Sequence, residues 1–113
     1  MPQTTTILLL LHARPAWLAL SRDERADFFQ NTFQPLTRKF SKSCSFRLFD
    51  SEFFHARISD FLLIETTSLD DYQDFIEMLR DTPFYAVPYF EVADIIPAKE
   101  NAFLQYDEKL GIA

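Results

Sequence analysis

Apolar residues recur along the chain with two different periods. Thr4–His12 carries a threonine run followed by Ile7, Leu8, Leu9, Leu10 and Leu11. That run is too short for a helix and has no polar alternation, which predicts a strand buried on both faces. Ser21-Arg-Asp-Glu24 has capping-box spacing, in which the serine hydroxyl takes the N3 amide and Glu24 reaches back to the cap amide. Ala26, Phe29, Phe33, Leu36 and Phe40 follow at spacings of three and four, a helical stripe, and Pro35 inside it predicts a kink or an early stop. Ser43–Asp50 alternates, with Cys44, Phe46 and Leu48 on one face and Ser45, Arg47 and Phe49 on the other, as a half-buried strand does. Arg57–Thr66, dominated by Phe61-Leu-Leu-Ile64, predicts a strand that is again apolar on both faces, with Asp50–His55 as the connecting loop. Ser68-Leu-Asp-Asp71 repeats the cap spacing, and Leu69, Tyr72, Phe75, Ile76 and Leu79 form a second helical stripe that Thr82-Pro83 ends. Tyr89–Ile96, between Pro88 and Pro97, predicts the last strand, and Asn101–Ala113 reads as a short tail.

The order strand, helix, strand, strand, helix, strand is the split βαβ pattern of an α+β, ferredoxin-like fold. It predicts a four-stranded antiparallel sheet with both helices on one face. The right-handed crossover places the third strand between the first and second, giving sheet order 4-1-3-2. At 113 residues the chain is expected to form one domain, residues 1–113.

Composition narrows the function classes. The single glycine, Gly111, excludes a Gly-rich phosphate loop and a dinucleotide fingerprint. The single cysteine, Cys44, excludes an internal disulfide and any multi-thiolate metal site; its alternation with Phe46 and Leu48 makes it a small core residue. A net charge of −6 opposes nucleic acid and anionic membrane as partners. The longest wholly apolar run, Ile7–Leu11, is far short of the roughly 20 residues of a membrane span, and no basic residue precedes it as in a signal peptide. With a free cysteine, the expected setting is cytoplasmic.

Several segments are specific in combination: Pro15-Ala-Trp17-Leu-Ala-Leu20-Ser21 before the first helix, Phe49-Asp-Ser-Glu-Phe53, Asp81-Thr-Pro-Phe84, Tyr89-Phe-Glu-Val92 and Glu100-Asn-Ala102. Together they make the chain resemble the darcynin family of small bacterial proteins over nearly its whole length. The resemblance implies a ferredoxin-like, dimeric α+β barrel, and it implies no reaction and no catalytic residues.

Chemical candidates are few. His12 and His55 with Asp50 or Glu52 have the residue types of a metal site but match no ligand spacing, and neither a metal nor haem nor another cofactor is expected. Ser51, His55 and Asp50 name a nucleophilic triad on paper, without an oxyanion hole or a strained elbow around Ser51. The unusual quantity is aromatic content, 16% with 13 Phe. Trp17, Phe53, Phe54, Phe84 and Tyr85 lie outside the regular elements, where aromatics line pockets or interfaces.

In the split βαβ topology His12, Asp50, Arg57 and Tyr89 share one rim of the sheet, with Arg14, Trp17 and Phe84 near it, while the opposite rim gathers Ser, Thr and Lys. The candidate ligand site is therefore His12, Trp17, Asp50, Phe53, His55, Arg57 and Tyr89. Arg57 would anchor a carboxylate or enolate, His55 would exchange a proton, Asp50 would orient it, and Trp17 with Phe53 would exclude water. A salt-bridge network closing the barrel end is the structural alternative. Because two helices cover one sheet face and both faces are apolar, a homodimer is expected. Two functions follow: a small-molecule-binding or interaction module, and a cofactor-independent monooxygenase-like enzyme acting on an aromatic substrate. An enclosed cavity with His55 or Asp50 pointing inward would favour the second.

Overall fold

The computed structural model describes residues 3–112. Four strands, β1 (Thr5–Ala13), β2 (Cys44–Asp50), β3 (Asp60–Thr66) and β4 (Phe90–Ala98), form an antiparallel sheet of order β2-β3-β1-β4. This is the predicted 4-1-3-2 order of the ferredoxin-like α+β fold. The hairpin partners run Cys44 with Thr66 through Asp50 with Asp60, and β1 lies between β3 and β4.

The helices are α1 (Pro15–Leu18), α2 (Arg22–Phe28), α3 (Gln34–Lys39), α4 (Leu69–Arg80), α5 (Pro83–Ala86) and α6 (Ala102–Lys109). Ser21 caps α2 in a full capping box, and accepting these bonds from Ser21 holds the Glu24 carboxyl below the usual carboxylate range. Ser68 caps α4, and Thr82 caps α5. Between α2 and α3 the chain does not stop or simply kink at Pro35. It widens one turn earlier, into a π turn over Phe29–Phe33 in which the Gln34 N–H donates to the Phe29 carbonyl. Pro35 has no N–H to give the preceding turn, and the wider turn takes up the mismatch. The extra residue shifts the helix face by one position. Phe28 and Arg25 turn partly inward while Ala26, expected in the stripe, faces solvent.

The core lies between the sheet and α2–α4. Ile7, Leu9, Leu11, Leu62, Ile64, Phe75 and Leu79 are almost fully buried there, with Phe75 between Phe40 and Phe46. Cys44 is a buried free thiol in the same layer.

Four boundaries differ from expectation. β3 begins at Asp60, so Arg57 belongs to the loop. β4 begins after Tyr89 and continues through Pro97, which pairs with Ile7. That is possible because β4 is an edge strand, where a proline's missing N–H can face away from the ladder. Thr82-Pro83 ends α4 but opens α5. The tail is a helix, α6, closed by Leu110 and by Gly111 at φ 74°, a conformation glycine adopts without strain. Ala113 lies outside the described residues.

Candidate ligand site

A hollow on the helix side of the sheet lies between β1, β3 and the first helical segment. Its volume is about 50 Å³. Trp17 of α1, Phe28, Phe29 and Phe33 of α2 and the π turn, and Phe84 of α5 form one wall. Leu11, Leu48, Leu62 and Phe90 form the other, one from each strand. Every lining side chain is apolar or aromatic. The π turn is what brings Phe28, Phe29 and Phe33 to the same wall, and Phe29 and Phe33 stack at 5.6 Å. Trp17 packs on Phe28, Tyr89 and Phe90 with ring centroids at 5.8, 5.4 and 4.9 Å. Phe29, Phe33, Leu48 and Leu62 also wall a second hollow of about 160 Å³ toward β2, bordered by Gln34, Thr37 and Phe46. Leu48 stands between solvent and both hollows and is 47% exposed.

One rung beyond the Leu48–Leu62 pair, on the same sheet face, Asp50 lies directly opposite Asp60. Asp60 also faces Leu11, a residue of the hollow wall, across the β1–β3 ladder. It is only 9% exposed. Burial pushes its pKa up to about 7, the hydrogen bond with Asp50 and the negative charges of Asp50 and Glu52 push the same way, and Ser59 draws it down. Asp50, Glu52 and Asp60 bring carboxylate oxygens within 4.8 Å of one another, the only such grouping with ligand-like spacing among the described residues. A hard divalent cation is the metal such oxygens would suit.

The residues expected at the rim are placed as follows. Trp17 and Tyr89 come together in the aromatic cluster. His12 points to the helix-free face, where its Nδ1 lies 2.5 Å from the Arg57 carbonyl oxygen. His55 accepts the backbone N–H groups of Arg57 and Ile58 at Nδ1, which leaves its ring proton on Nε2 and its side chain tied to its own loop. Asp50 pairs with Asp60 and makes no contact with His55 that would orient it. Phe53 and Phe54 are exposed at 73% and 92% and pack only edge-on against each other. Arg57 is exposed and forms no ion pair among the described residues. Ser51 donates its hydroxyl to the Ile58 carbonyl, so no triad assembles. Arg14, near the same rim, pairs with Glu91 at 3.4 Å. The polar rim thus serves mainly to staple the 51–59 loop to β1, through Ser59 N–H on the Leu11 carbonyl and Ala13 N–H on the Ser59 hydroxyl. Asp60 escaped notice in the sequence. Its signal was a charged residue heading the apolar run Phe61–Ile64, and a hairpin register that sets it against Asp50.

These features define a class: a ferredoxin-like α+β protein with an apolar, aromatic-walled hollow between its sheet and first helix. The chain belongs to the darcynin family. The family's sequence profile, described as "Darcynin, domain of unknown function", matches residues 1–112. Darcynin 1 of Acinetobacter baumannii is 41% identical over 90 residues, covering 80% of this chain and 99% of that protein. A darcynin homolog of Streptomyces avermitilis is 36% identical over 98 residues, covering 87% of this chain and 80% of that one. Among solved structures, a heme-binding protein from Thermus thermophilus superposes with TM-score 0.77 at 13% identity over 94% of this chain and 44% of its own. Chlorite dismutase from Candidatus Nitrospira defluvii, in complex with imidazole, gives 0.72 at 10% identity over 85% and 39%. The chain therefore spans about two fifths of the length of these solved relatives, and at such identities the likeness concerns the fold.

Proposed function

We propose that the chain is a small-molecule-binding module that works as a homodimer, its ligand a compact aromatic or apolar molecule held between the first helix and the sheet. The observation that carries this reading is the wholly apolar hollow, built from seven elements and shaped by a π turn, a local irregularity frequent at functional sites. The two adjoining hollows, merged by a turn of Leu48, offer about 200 Å³. A cavity of about 150 Å³ already accepts benzene. A cytoplasmic setting, in which Cys44 stays a thiol, goes with the reading; no described helix is long and apolar enough to cross a membrane.

Haem, which the Thermus neighbour binds, does not fit the residues present. The hollow offers no side chain able to ligate iron, and both histidines lie outside it with Nδ1 engaged by backbone groups. No step is assigned to it.

Trp17 is the only tryptophan and stands in the wall, so its emission reports occupancy directly. Titration with toluene is expected to shift that emission to saturation at one molecule per chain and to raise the melting temperature. A ligand at 100 times its dissociation constant adds about 2.7 kcal/mol. Leu48→Phe, which fills the mouth, is expected to abolish both signals. If neither toluene nor other single-ring compounds move Trp17 emission or melting, the binding reading is wrong.

A second reading, cofactor-independent oxygenation of an aromatic substrate, draws on Asp60: an acid poised near neutrality beside an apolar hollow suits proton transfer. Asp60→Asn separates the two. A module keeps its toluene signal and shows no oxygen uptake with or without the substitution, whereas an enzyme consumes oxygen with its substrate and loses that in the variant.

A further inference from the structure

The two adjoining hollows differ in one respect. The inner one has no polar side chain on its wall, whereas the outer one, of about 160 Å³, is bordered on the α3 side by Gln34 and Thr37. Gln34 closes the π turn, its N–H donating to the Phe29 carbonyl. Thr37 follows three residues on, on the same side of the helix. Both side chains are half-buried. Phe29, Phe33, Leu48 and Leu62 belong to both walls, so the polar pair stands at one end of the merged slot.

The fold leaves these two side chains with hydrogen-bonding capacity to spare. The Thr37 hydroxyl donates to the Gln34 main-chain carbonyl at 2.9 Å, which spends its proton and leaves its oxygen free to accept. The Gln34 side-chain amide makes no hydrogen bond with another described residue, and it keeps an acceptor oxygen and an NH2 donor. On an open helix face water would satisfy such an amide. This one borders a hollow whose other five lining residues are apolar or aromatic. A purely apolar ligand filling the slot would strip water from the amide and return no bond for it, which penalises binding. That end of the slot thus calls for two donors and one acceptor.

We propose that the ligand of this site is a neutral aromatic primary carboxamide, its ring in the slot and its carboxamide paired with Gln34 and Thr37. The inference rests on the binding reading above and names the ligand's chemical class. One N–H of the ligand donates to Gln34 Oε1 while its carbonyl accepts from Gln34 Nε2, a closed pair of bonds between two planar amides. The second N–H donates to Thr37 Oγ1. Other ring substituents match less well. A hydroxyl brings one donor, so one of the two acceptors stays unmet. A carboxylate brings acceptors only, is left facing two oxygens, and meets a chain of net charge −6. An ammonium brings donors only and leaves the Gln34 NH2 without an acceptor. Space permits the ring, since the merged hollows offer about 200 Å³ where about 150 Å³ accepts benzene.

Trp17 emission of the full chain tests this, with benzamide, toluene, benzoate and benzamidine as probes. The wild type is expected to bind benzamide at least tenfold more tightly than toluene, and at least tenfold more tightly than benzoate. Tenfold is about 1.4 kcal/mol, the size of one or two net hydrogen bonds. Gln34→Leu is expected to bring benzamide and toluene within threefold of each other, and Thr37→Val to weaken benzamide three- to tenfold. Gln34→Glu keeps the side chain's length but exchanges the NH2 for a second acceptor. It is expected to prefer benzamidine, whose cationic head presents N–H groups only, at least tenfold over benzamide. Should Gln34→Leu fail to fold, Gln34→Glu carries the test. A wild type that moves Trp17 emission with none of the probes would overturn the binding reading itself. A wild type that binds toluene or benzoate as tightly as benzamide, or a Gln34→Glu variant that still prefers benzamide, would overturn the carboxamide assignment while binding stands. Unchanged benzamide affinity in Thr37→Val would remove Thr37 from it.

Discussion

The two faces of the sheet are made of alternate residues of the same strands, yet they have different fates. On β1, Ile7, Leu9 and Leu11 point to the helices and are almost fully buried, whereas Leu8 and Leu10, chemically the same and one residue away, are only half-buried. On β3, Leu62 and Ile64 contrast with Phe61 and Leu63 in the same way. Apolarity is thus not what distinguishes the faces. One is covered from within the chain, by helices whose capping serines and aromatic stripes hold them there, and the other carries no helix of its own domain. The hollow belongs to the first face because helix-on-sheet packing bent by a π turn leaves a gap, while a flat, solvent-facing sheet surface cannot enclose one.

The largest effect expected from breaking that contrast is at Phe75. Its ring is wholly buried between Phe40 and Phe46. Phe75→Ala is expected to cost about 3–5 kcal/mol of unfolding free energy in urea titration. Leu10→Ala on the other face is expected to cost the isolated chain less, about 1.5–2.5 kcal/mol, because part of its surface is already in water. Its larger consequence should be a weaker dimer. Equal costs for the two substitutions in dilute protein would mean that the faces are buried alike.

Asp60 gives the next effect, and its sign is opposite to that of most carboxylates. The fold raises its pKa from an ordinary 3.8 to about 7, so between those values the native chain carries a proton that the unfolded chain has lost. Stability from this group is fully present below about pH 4, falls as pH rises through that window, and levels off above about 7. Asp60→Asn, which keeps the neutral shape, is expected to flatten the profile. It should match wild type near pH 4 and exceed it by about 1–3 kcal/mol at pH 8. Melting curves at a series of pH values check it; parallel profiles would show that Asp60 ionises freely.

Much of this was legible in the residues, and what was not has physical causes. Element order and the crossover rule led to the sheet order, because handedness leaves one arrangement. The unbroken leucines of β1 showed that both faces would be apolar, since a half-exposed strand alternates. Pro35 announced an irregularity, but where the helix absorbs it depends on which carbonyl can find another donor, and the answer lay a turn earlier, at Phe29. α6 was missed because its apolar residues serve no core of its own. The hollow has no period at all, being the meeting of Trp17, Phe28, Leu48 and Phe84 from separate elements. The polar rim misled for a related reason. His12 and His55 have the chemistry of a site, but backbone groups of Arg57 and Ile58 occupy their Nδ1 atoms, and only a folded loop shows that.

The smallest expected effect sharpens the comparison from the helix side. The covered face depends on α2 staying where Ser21 starts it. There the Ser21 hydroxyl accepts the Glu24 N–H at 3.1 Å and Glu24 accepts the Ser21 N–H at 2.9 Å. Ser21→Ala removes the first bond and frees Glu24 from the second, and is expected to cost about 1 kcal/mol; Ser21→Gly should cost only a few tenths. Because α2 leads directly into the π turn, that loosening should reach Phe28 and Phe29 before it reaches β1. Amide exchange is expected to speed up across Arg22–Phe33 in Ser21→Ala while the amides of Leu9 and Leu62 keep their protection. Uniform acceleration through the sheet would show instead that helix and sheet open as one unit, and that the hollow cannot admit a ligand without unfolding the face that builds it.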